Sequence, residues 1–141
     1  MVKKVIAFDL DGTLIDFESR EVLADISDIK SLAKDYTLAL VTGSPRQEAL
    51  EALQAMDILD LFDKNLIITQ DDTDGGKSTG EPFLVLKQRI RTALVFIGDS
   101  DADQIGCKKA ELSFIRIHNT SNPDEKLRSA IANAREVLRE Y

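Results

Sequence analysis

Short apolar runs that lack alternating polar positions constrain the fold of this chain more than any other feature. Four such runs occupy residues 5–8, 38–41, 66–68 and 93–97, and a weaker fifth occupies residues 112–117. Runs of this length are typical of strands that are buried on both faces, as in a parallel sheet. The sequence therefore predicts a mostly parallel sheet of about five strands, covered on both sides.

Helical patterns lie between these runs. Apolar residues recur at spacings of three or four in three sets: Val22, Ile26, Ile29 and Ala33; Ala49, Leu50, Leu53 and Met56; and Leu127, Ile131, Ala134 and Leu138. Ser44-Pro45 and Asn122-Pro123 each offer a helix N-cap followed by a proline in the first turn. Strands that alternate with helices predict an α/β fold, a doubly wound Rossmann-like sheet with helices on both faces.

Composition limits the size and surroundings of the protein. With 141 residues, the chain is expected to form a single domain over residues 1–141. Its one cysteine, Cys107, cannot form an internal disulfide, which fits a reducing compartment. The formal net charge of −7 disfavours nucleic acids and anionic lipid surfaces as partners.

Neither a membrane span nor a signal peptide is predicted. The longest stretch without a charged residue, 36–45, has ten residues, and a spanning helix needs about 20. The apolar run that follows Lys4 ends at Asp9, too soon for a signal-peptide core of about 7 residues or more. We therefore expect a cytoplasmic protein.

Acidic residues stand directly after two of the predicted strands. Asp9 and Asp11 follow the first run, and Asp99, Asp101 and Asp103 follow the fourth. Because ligands of open α/β sheets bind beyond the carboxyl ends of the strands, these carboxylates are expected to converge at one rim. Repulsion between them favours a bound cation, and ligands that are all oxygen favour a hard ion such as Mg²⁺.

Two further residues fit the handling of phosphate at this rim. Thr42 supplies a hydroxyl at the end of the second run, and Lys77, in the polar stretch 70–80, supplies a positive charge. Such a charge can offset the negative charge of a phosphoryl group in transfer. A carboxylate can itself act as a nucleophile and form an aspartyl-phosphate.

These residues resemble the four motifs of the haloacid dehalogenase (HAD) superfamily of phosphohydrolases, in order. The motifs correspond to residues 9–14 (DLDGTL), Thr42, Lys77 and residues 98–103 (GDSDAD). The stretch from residues 61–63 through Lys77 to Glu81-Pro82 is also similar to the phosphoglycolate phosphatase-like branch. The resemblance covers roughly residues 5–117, and it is specific because the first and last motifs occur together.

The resemblance implies a role for each residue. Asp9 would attack phosphorus, and Asp11 would protonate the leaving oxygen and then activate water. Mg²⁺ would be held by Asp9, the backbone carbonyl of Asp11, Asp99 and, directly or through water, Asp103. Thr42, Gly43 and Lys77 would bind the phosphoryl oxygens. Family members often have prolines directly after this lysine, whereas Ser78, Thr79 and Gly80 follow it here.

The spacing of the motifs leaves no room for the cap domain that most relatives insert. Only 29 positions separate Thr13 from Thr42, and 35 separate Thr42 from Lys77. The chain thus resembles a capless member, whose site is open, is covered by another subunit, or takes a substrate too large to enclose. We expect a small phosphorylated metabolite as substrate, with a homo-oligomer completing the pocket.

Other interpretations stay open at this stage. A receiver-like signalling domain also holds an aspartyl-phosphate, although residues 67–70 at the end of the third predicted strand contain no acid. A non-catalytic module could keep only the phosphate site. Several further residues have simple structural interpretations. Asp101 is interpreted as a residue that favours a helix N-terminus, and Cys107 as a half-buried packing residue. His118 is expected at a strand end, and a solvated loop is expected to contain Asp71, Asp72 and Asp74. Four residues are expected either at the mouth of the site or in solvent: Phe17, Glu18, Arg20 and Arg46.

Overall fold

The computed structural model describes residues 3–117 and 123–141, and within them a five-stranded parallel sheet forms the centre of the molecule. The strands are β1 (Val5–Phe8), β2 (Thr37–Val41), β3 (Phe62–Ile68), β4 (Leu94–Gly98) and β5 (Ser113–Arg116). The helices are α1 (Ile26–Asp35), α2 (Arg46–Ala55), α3 (Glu81–Gln88), α4 (Asp101–Lys109) and α5 (Pro123–Arg139). The predicted α/β class and the parallel sheet are confirmed.

Both faces of the sheet are covered by helices. Alternate strand residues such as Ile6 and Phe8 pack with buried residues of α1, α2 and α5 in one apolar cluster. The intervening residues, such as Val5 and Ala7, pack with buried residues of α3 and α4 in a second cluster on the opposite face. This two-sided burial explains why the strands read as continuous apolar runs.

The strand order β3-β2-β1-β4-β5 reverses direction at β1, which pairs with β2 on one side and with β4 on the other. The chain moves outward from β1 to β3 and then returns to the far side of β1 to add β4. A crevice forms beyond the carboxyl ends of the strands at such a reversal, and ligands bind there. Asp9 follows β1 and donates its backbone N–H to the Ile97 carbonyl of β4 at 2.9 Å.

A compact loop, residues 9–25, connects β1 to α1 and takes the position where a cap domain would be inserted. Its first turn is closed by the N–H of Leu14, which donates to the Leu10 carbonyl at 2.9 Å, and Ile15 bridges back to Val22. Between β1 and β2 the described chain thus contains this loop and α1. The expectation that Val22 belongs to the helix was wrong, because α1 begins after Asp25, whose side chain caps it by accepting the Ser27 N–H at 2.9 Å.

Two further local expectations were incorrect or incomplete. Ser44 does not cap α2: Pro45 is the N-cap residue and no side chain caps the helix, while the Ser44 carbonyl accepts the Gln70 N–H at 3.0 Å. Strand β3 begins at Phe62, four residues before its apolar run. The apolar pattern missed residues 63–65 because they are exposed and polar. The Asn122 cap and His118 lie outside the described residues.

No helix in the described ranges combines the length and apolar character needed to cross a membrane.

Candidate active site

Three carboxylates meet beyond the carboxyl ends of β1 and β4. Asp9 follows β1, Asp99 follows β4, and Asp103 projects from the first turn of α4. One oxygen of each lies within 4.8 Å of one oxygen of the other two. Asp9 and Asp103 are 5% and 0% exposed, so two of these charges are held out of water. Oxygen donors in such a group suit a hard divalent cation.

Lys77 lies within this group of carboxylates. Its Nζ is 2.5 Å from Asp9 Oδ1 and 2.8 Å from Asp103 Oδ1. Lys77 belongs to a turn of 3-10 helix, residues 77–79, that packs on α4. The structure therefore brings together the lysine of the third motif with acids of the first and fourth, although Lys77 and Asp9 are 68 positions apart in the sequence.

Burial determines the protonation behaviour of this group. It raises the pKa of the Asp9 carboxyl well above its ordinary value; Lys77 opposes that rise and Asp103 adds to it. Burial lowers the pKa of Lys77, but attraction to Asp9 and Asp103 outweighs that effect, so the net shift of this pKa is upward. One ammonium cannot neutralise all the carboxylates around it, and additional positive charge would stabilise the group.

Two glycines allow the carboxylates to approach the backbone. Gly12 has φ +84°, and a Cβ there would lie 2.2 Å from Asp99 Oδ2. A Cβ on Gly98 would lie 2.5 Å from Asp103 Oδ2. Both glycines lie within the first and fourth motifs, and no structural role was predicted for them. Their signal is a glycine directly beside a strand-end acid, where the backbone must leave room for a carboxylate.

The Asp11 side chain lies outside the cluster of three carboxylates. It is exposed, and its Oδ1 accepts the Phe17 N–H at 3.0 Å. This bond ties Asp11 to the loop 9–25 and leaves its other oxygen without a protein donor in the described chain. A carboxylate in this position can exchange protons with groups in solvent.

Thr42 and Gly43 lie at the end of β2, on the side of β1 opposite to β4. Thr42 is buried, and its Oγ1 accepts the Ser44 N–H at 3.1 Å. With Lys77 these residues border a cavity of about 170 Å³ between the loops that follow β2 and β3. A larger surface cavity, about 700 Å³, lies at the opposite end of the sheet among residues such as Lys3 and Arg91.

Several other candidates have structural roles instead. Asp101 is exposed and pairs with Arg116 at 2.8 Å, as its helix-start interpretation allows. The Arg46 guanidinium donates to the Ile67 carbonyl at 3.0 Å, so it lies along β3 and not across the mouth of the site. Cys107 is fully buried, more than expected, and burial raises the pKa of its thiol.

Comparison with known families identifies the family of the chain. The family model described as haloacid dehalogenase-like hydrolase matches residues 20–117, a span that contains Thr42, Lys77, Asp99 and Asp103. The chain belongs to the haloacid dehalogenase-like hydrolase family. No curated protein matches the sequence significantly.

Solved structures share the fold of this HAD-like hydrolase. A HAD-superfamily hydrolase from Ehrlichia chaffeensis is 17% identical, with 98% of each chain covered and a TM-score of 0.70. YfnB from Bacillus subtilis, assigned to the HAD hydrolases and solved bound to magnesium, is 18% identical over 90% of this chain and 92% of its own, with a TM-score of 0.69. A protein described as a predicted phosphoglycolate phosphatase from Haemophilus somnus is 18% identical over 91% of each chain, with a TM-score of 0.67.

Proposed function

We propose that this HAD-like hydrolase is a Mg²⁺-dependent phosphomonoesterase that works through an aspartyl-phosphate on Asp9. The observation that carries the proposal is the buried Asp9 carboxylate, held against Lys77 and beside Asp99 and Asp103. A buried acid with a raised pKa and a specific cationic partner is typical of a functional site.

Asp9 is oriented for attack by two donors to one oxygen. Its Oδ1 accepts the backbone N–H of Leu10 at 2.8 Å and the Lys77 ammonium at 2.5 Å. In the first step a carboxylate oxygen of Asp9 forms a bond to phosphorus as the ester P–O bond breaks, and Asp11 gives a proton to the leaving oxygen. In the second step Asp11 takes a proton from water, which attacks the aspartyl-phosphate, releases inorganic phosphate and restores Asp9.

A cation and two hydrogen-bond donors would bind the phosphoryl group during its transfer. Lys77 would offset its negative charge, and the hydroxyl of Thr42 and the N–H of Gly43 would donate to its oxygens. The oxygen-only cluster of Asp9, Asp99 and Asp103 fits Mg²⁺. When bound, this ion would neutralise the carboxylates and polarise a phosphoryl oxygen.

The proposal extends to the substrate and its surroundings. Asp11 lies in the loop 9–25 and is exposed, so a substrate can approach the site from this side. We propose that a small phosphorylated metabolite is the substrate, that residues 1–141 act as one core domain in the cytoplasm, and that a second copy of the chain covers the opening.

The central test is Asp9→Asn, which keeps the shape of the side chain but removes the nucleophile. Hydrolysis of a generic aryl phosphate should fall by at least about a thousandfold, since loss of a nucleophile removes the covalent route. Chelation of divalent metal should abolish the wild-type rate, and added Mg²⁺ should restore it.

Asp101→Asn is the matched control for this experiment. It changes an exposed carboxylate two positions from Asp99, and its only described contact is with Arg116. This variant should retain the wild-type rate. Full activity in Asp9→Asn would exclude Asp9 as the nucleophile, and a long-lived stoichiometric aspartyl-phosphate without turnover would favour a receiver-like function.

A further inference from the structure

The cavity of about 170 Å³ beside Thr42 has two different sides. One is formed by Thr42, Gly43 and Lys77, the residues proposed above to bind the phosphoryl group. The other is formed by the loop after β3, which contributes Gln70 and Asp74. A ligand in this cavity would therefore contact phosphate-binding groups and loop side chains at the same time.

The loop after β3 is held in place by two of its own acids and by Glu81 of α3. Asp72 closes the loop by accepting the Thr69 N–H at 2.7 Å, and Asp71 accepts the Arg46 N–H at 2.8 Å. The Glu81 carboxylate accepts the N–H groups of Asp74 and Gly75 at 3.2 and 2.8 Å. These bonds fix the backbone at Asp74, so the Cα from which its exposed side chain projects is held at the border of the cavity.

Two side chains on this wall are left without protein partners. Among the described residues, no hydrogen bond or ion pair engages the side-chain amide of Gln70 or the carboxylate of Asp74. The N–H groups of Gly43 and Gly76 likewise meet no acceptor there. Together these groups offer donors and acceptors to hydroxyl groups of a ligand.

The two glycines are not required by packing. A Cβ added at Gly43 or Gly76 would have no atom within 4 Å, and neither residue has a positive φ. These positions therefore leave space and exposed peptide groups at the border of the cavity, unlike Gly12 and Gly98, where carboxylates fill the space.

Volume and charge limit what this cavity can hold. Its volume of about 170 Å³ is below the roughly 300–1,000 Å³ typical of ligand pockets. The cavity therefore suits a leaving group of a few heavy atoms, such as a three-carbon alcohol. Asp74 borders the cavity and has no cationic partner among the described residues, so a ligand carboxylate next to it would be repelled. Asp71 and Asp72 do not line the cavity.

We propose that this cavity binds the leaving group and selects small, uncharged alcohols that carry several hydroxyls. The inference rests on the proposed phosphomonoesterase function. The hydroxyls are bound by Gln70 and Asp74, while the phosphoryl group contacts Thr42 and Lys77. Asp74 also excludes leaving groups that carry a carboxylate.

Three phosphate esters of similar size test the inference. Glycerol 3-phosphate carries two free hydroxyls, propyl phosphate carries none, and 3-phosphoglycerate replaces one hydroxymethyl group of the glycerol ester with a carboxylate. The wild type should have a kcat/KM for glycerol 3-phosphate about tenfold above that for either of the others, the size of effect expected from one or two hydrogen bonds or one uncompensated charge.

Variants separate the two sources of selectivity. Asp74→Asn should reduce the preference for glycerol 3-phosphate over 3-phosphoglycerate about tenfold, because the charge is removed while an acceptor oxygen is kept. Gln70→Ala should reduce the preference for glycerol 3-phosphate over propyl phosphate. Asp60→Asn, at the amino end of β3, is the matched control and should change neither ratio.

Binding separates failure of this inference from failure of the proposed function. Calorimetry on Asp9→Asn with Mg²⁺ measures affinity for the three esters without turnover, and glycerol 3-phosphate should again bind best. Equal kcat/KM values for the three esters in the wild type would overturn the selectivity and leave the phosphatase function standing. Selective binding without hydrolysis would support the cavity and refute the function; absence of both would refute both.

Discussion

At the scale of single residues, Asp9 combines an unfavourable environment with a specific partner. It is 5% exposed, beside the buried Asp103, and Lys77 is the cation between them. A charge that is desolvated and only partly compensated lowers the stability of the folded chain, a cost often found at functional sites.

The metal-free protein should therefore be less stable at neutral pH than a variant without this charge. Asp9→Asn leaves one buried carboxylate, Asp103, to pair with Lys77, and we expect it to raise the free energy of unfolding by about 0.5–2 kcal/mol. Thermal unfolding in a chelator at pH 7.5 measures this. A variant less stable than the wild type would show that the Asp9–Lys77 pair is a net stabilising interaction.

The sign of the pH dependence follows from the raised pKa of Asp9. The folded state holds the proton more tightly than the unfolded chain, so this contribution to stability is complete below the ordinary Asp pKa. It is lost as the pH rises through the raised pKa of the folded state. The stability gain of Asp9→Asn should accordingly increase with pH, and a gain that decreases with pH would contradict the assignment.

The sequence predicted that Asp9 and Asp99 share one rim and that Lys77 serves the same site, but not the contact between Lys77 and Asp103. Strand ends in a parallel sheet share one edge, so adjacency of Asp9 and Asp99 follows from topology. Lys77 lies in a loop, and its approach to Asp103 depends on tertiary packing between its turn and α4. No local pattern encodes that packing.

At the scale of elements, the contact between α4 and the turn 77–79 sets the position of Lys77. Gly106 of α4 lies directly against this turn, and a Cβ at Gly106 would be 2.0 Å from the Lys77 carbonyl and 2.5 Å from the Phe83 ring. An added methyl group at Gly106 cannot be accommodated at these distances unless the turn shifts.

Gly106→Ala should therefore displace the turn even though alanine favours helix by about 1 kcal/mol. Overpacking of this kind costs about 1–3 kcal/mol, and we expect a net loss of stability together with a larger loss of Mg²⁺-dependent hydrolysis. Chemical denaturation and aryl phosphate kinetics measure the two effects. Gly43→Ala, which has open space at its Cβ, should keep wild-type stability. Equal stability of Gly106→Ala and the wild type would argue against the tight contact.

Helix α3 was not predicted from the sequence. It has eight residues, begins with Glu81 and Pro82 after the left-handed Gly80, and buries Phe83 and Leu86. So short a segment gives too few turns for a helical period to stand out. The longer α5 was predicted from its apolar repeat because it has 17 residues.

At the scale of the whole molecule, the carboxylates of Asp9 and Asp99 follow two strands, β1 and β4, that are far apart in the chain. Asp9 and Asp99 are 90 positions apart, and they meet only when β1 and β4 are paired. A cation bound by both should therefore favour the folded state over the unfolded chain.

Mg²⁺ should stabilise the wild type by about 2.7 kcal/mol at a concentration 100 times its Kd. Thermal unfolding over a Mg²⁺ titration measures this. Asp99→Asn should remove most of the effect, whereas Asp60→Asn should keep it. The same stabilisation in Asp99→Asn as in the wild type would place the ion elsewhere.

The loop 9–25 also has a consequence for engineering. Glu18, Ser19 and Arg20 form an exposed tip, held locally by the Glu18 N–H to Asp16 and the Glu21 N–H to Ser19. Arg20 adopts a φ of +63° there. Exposed tips of this kind tolerate spliced insertions. A foreign module inserted at Ser19 would lie over Asp11. The size of such a module could therefore be chosen to control how far the site is enclosed and which bulky compounds reach it.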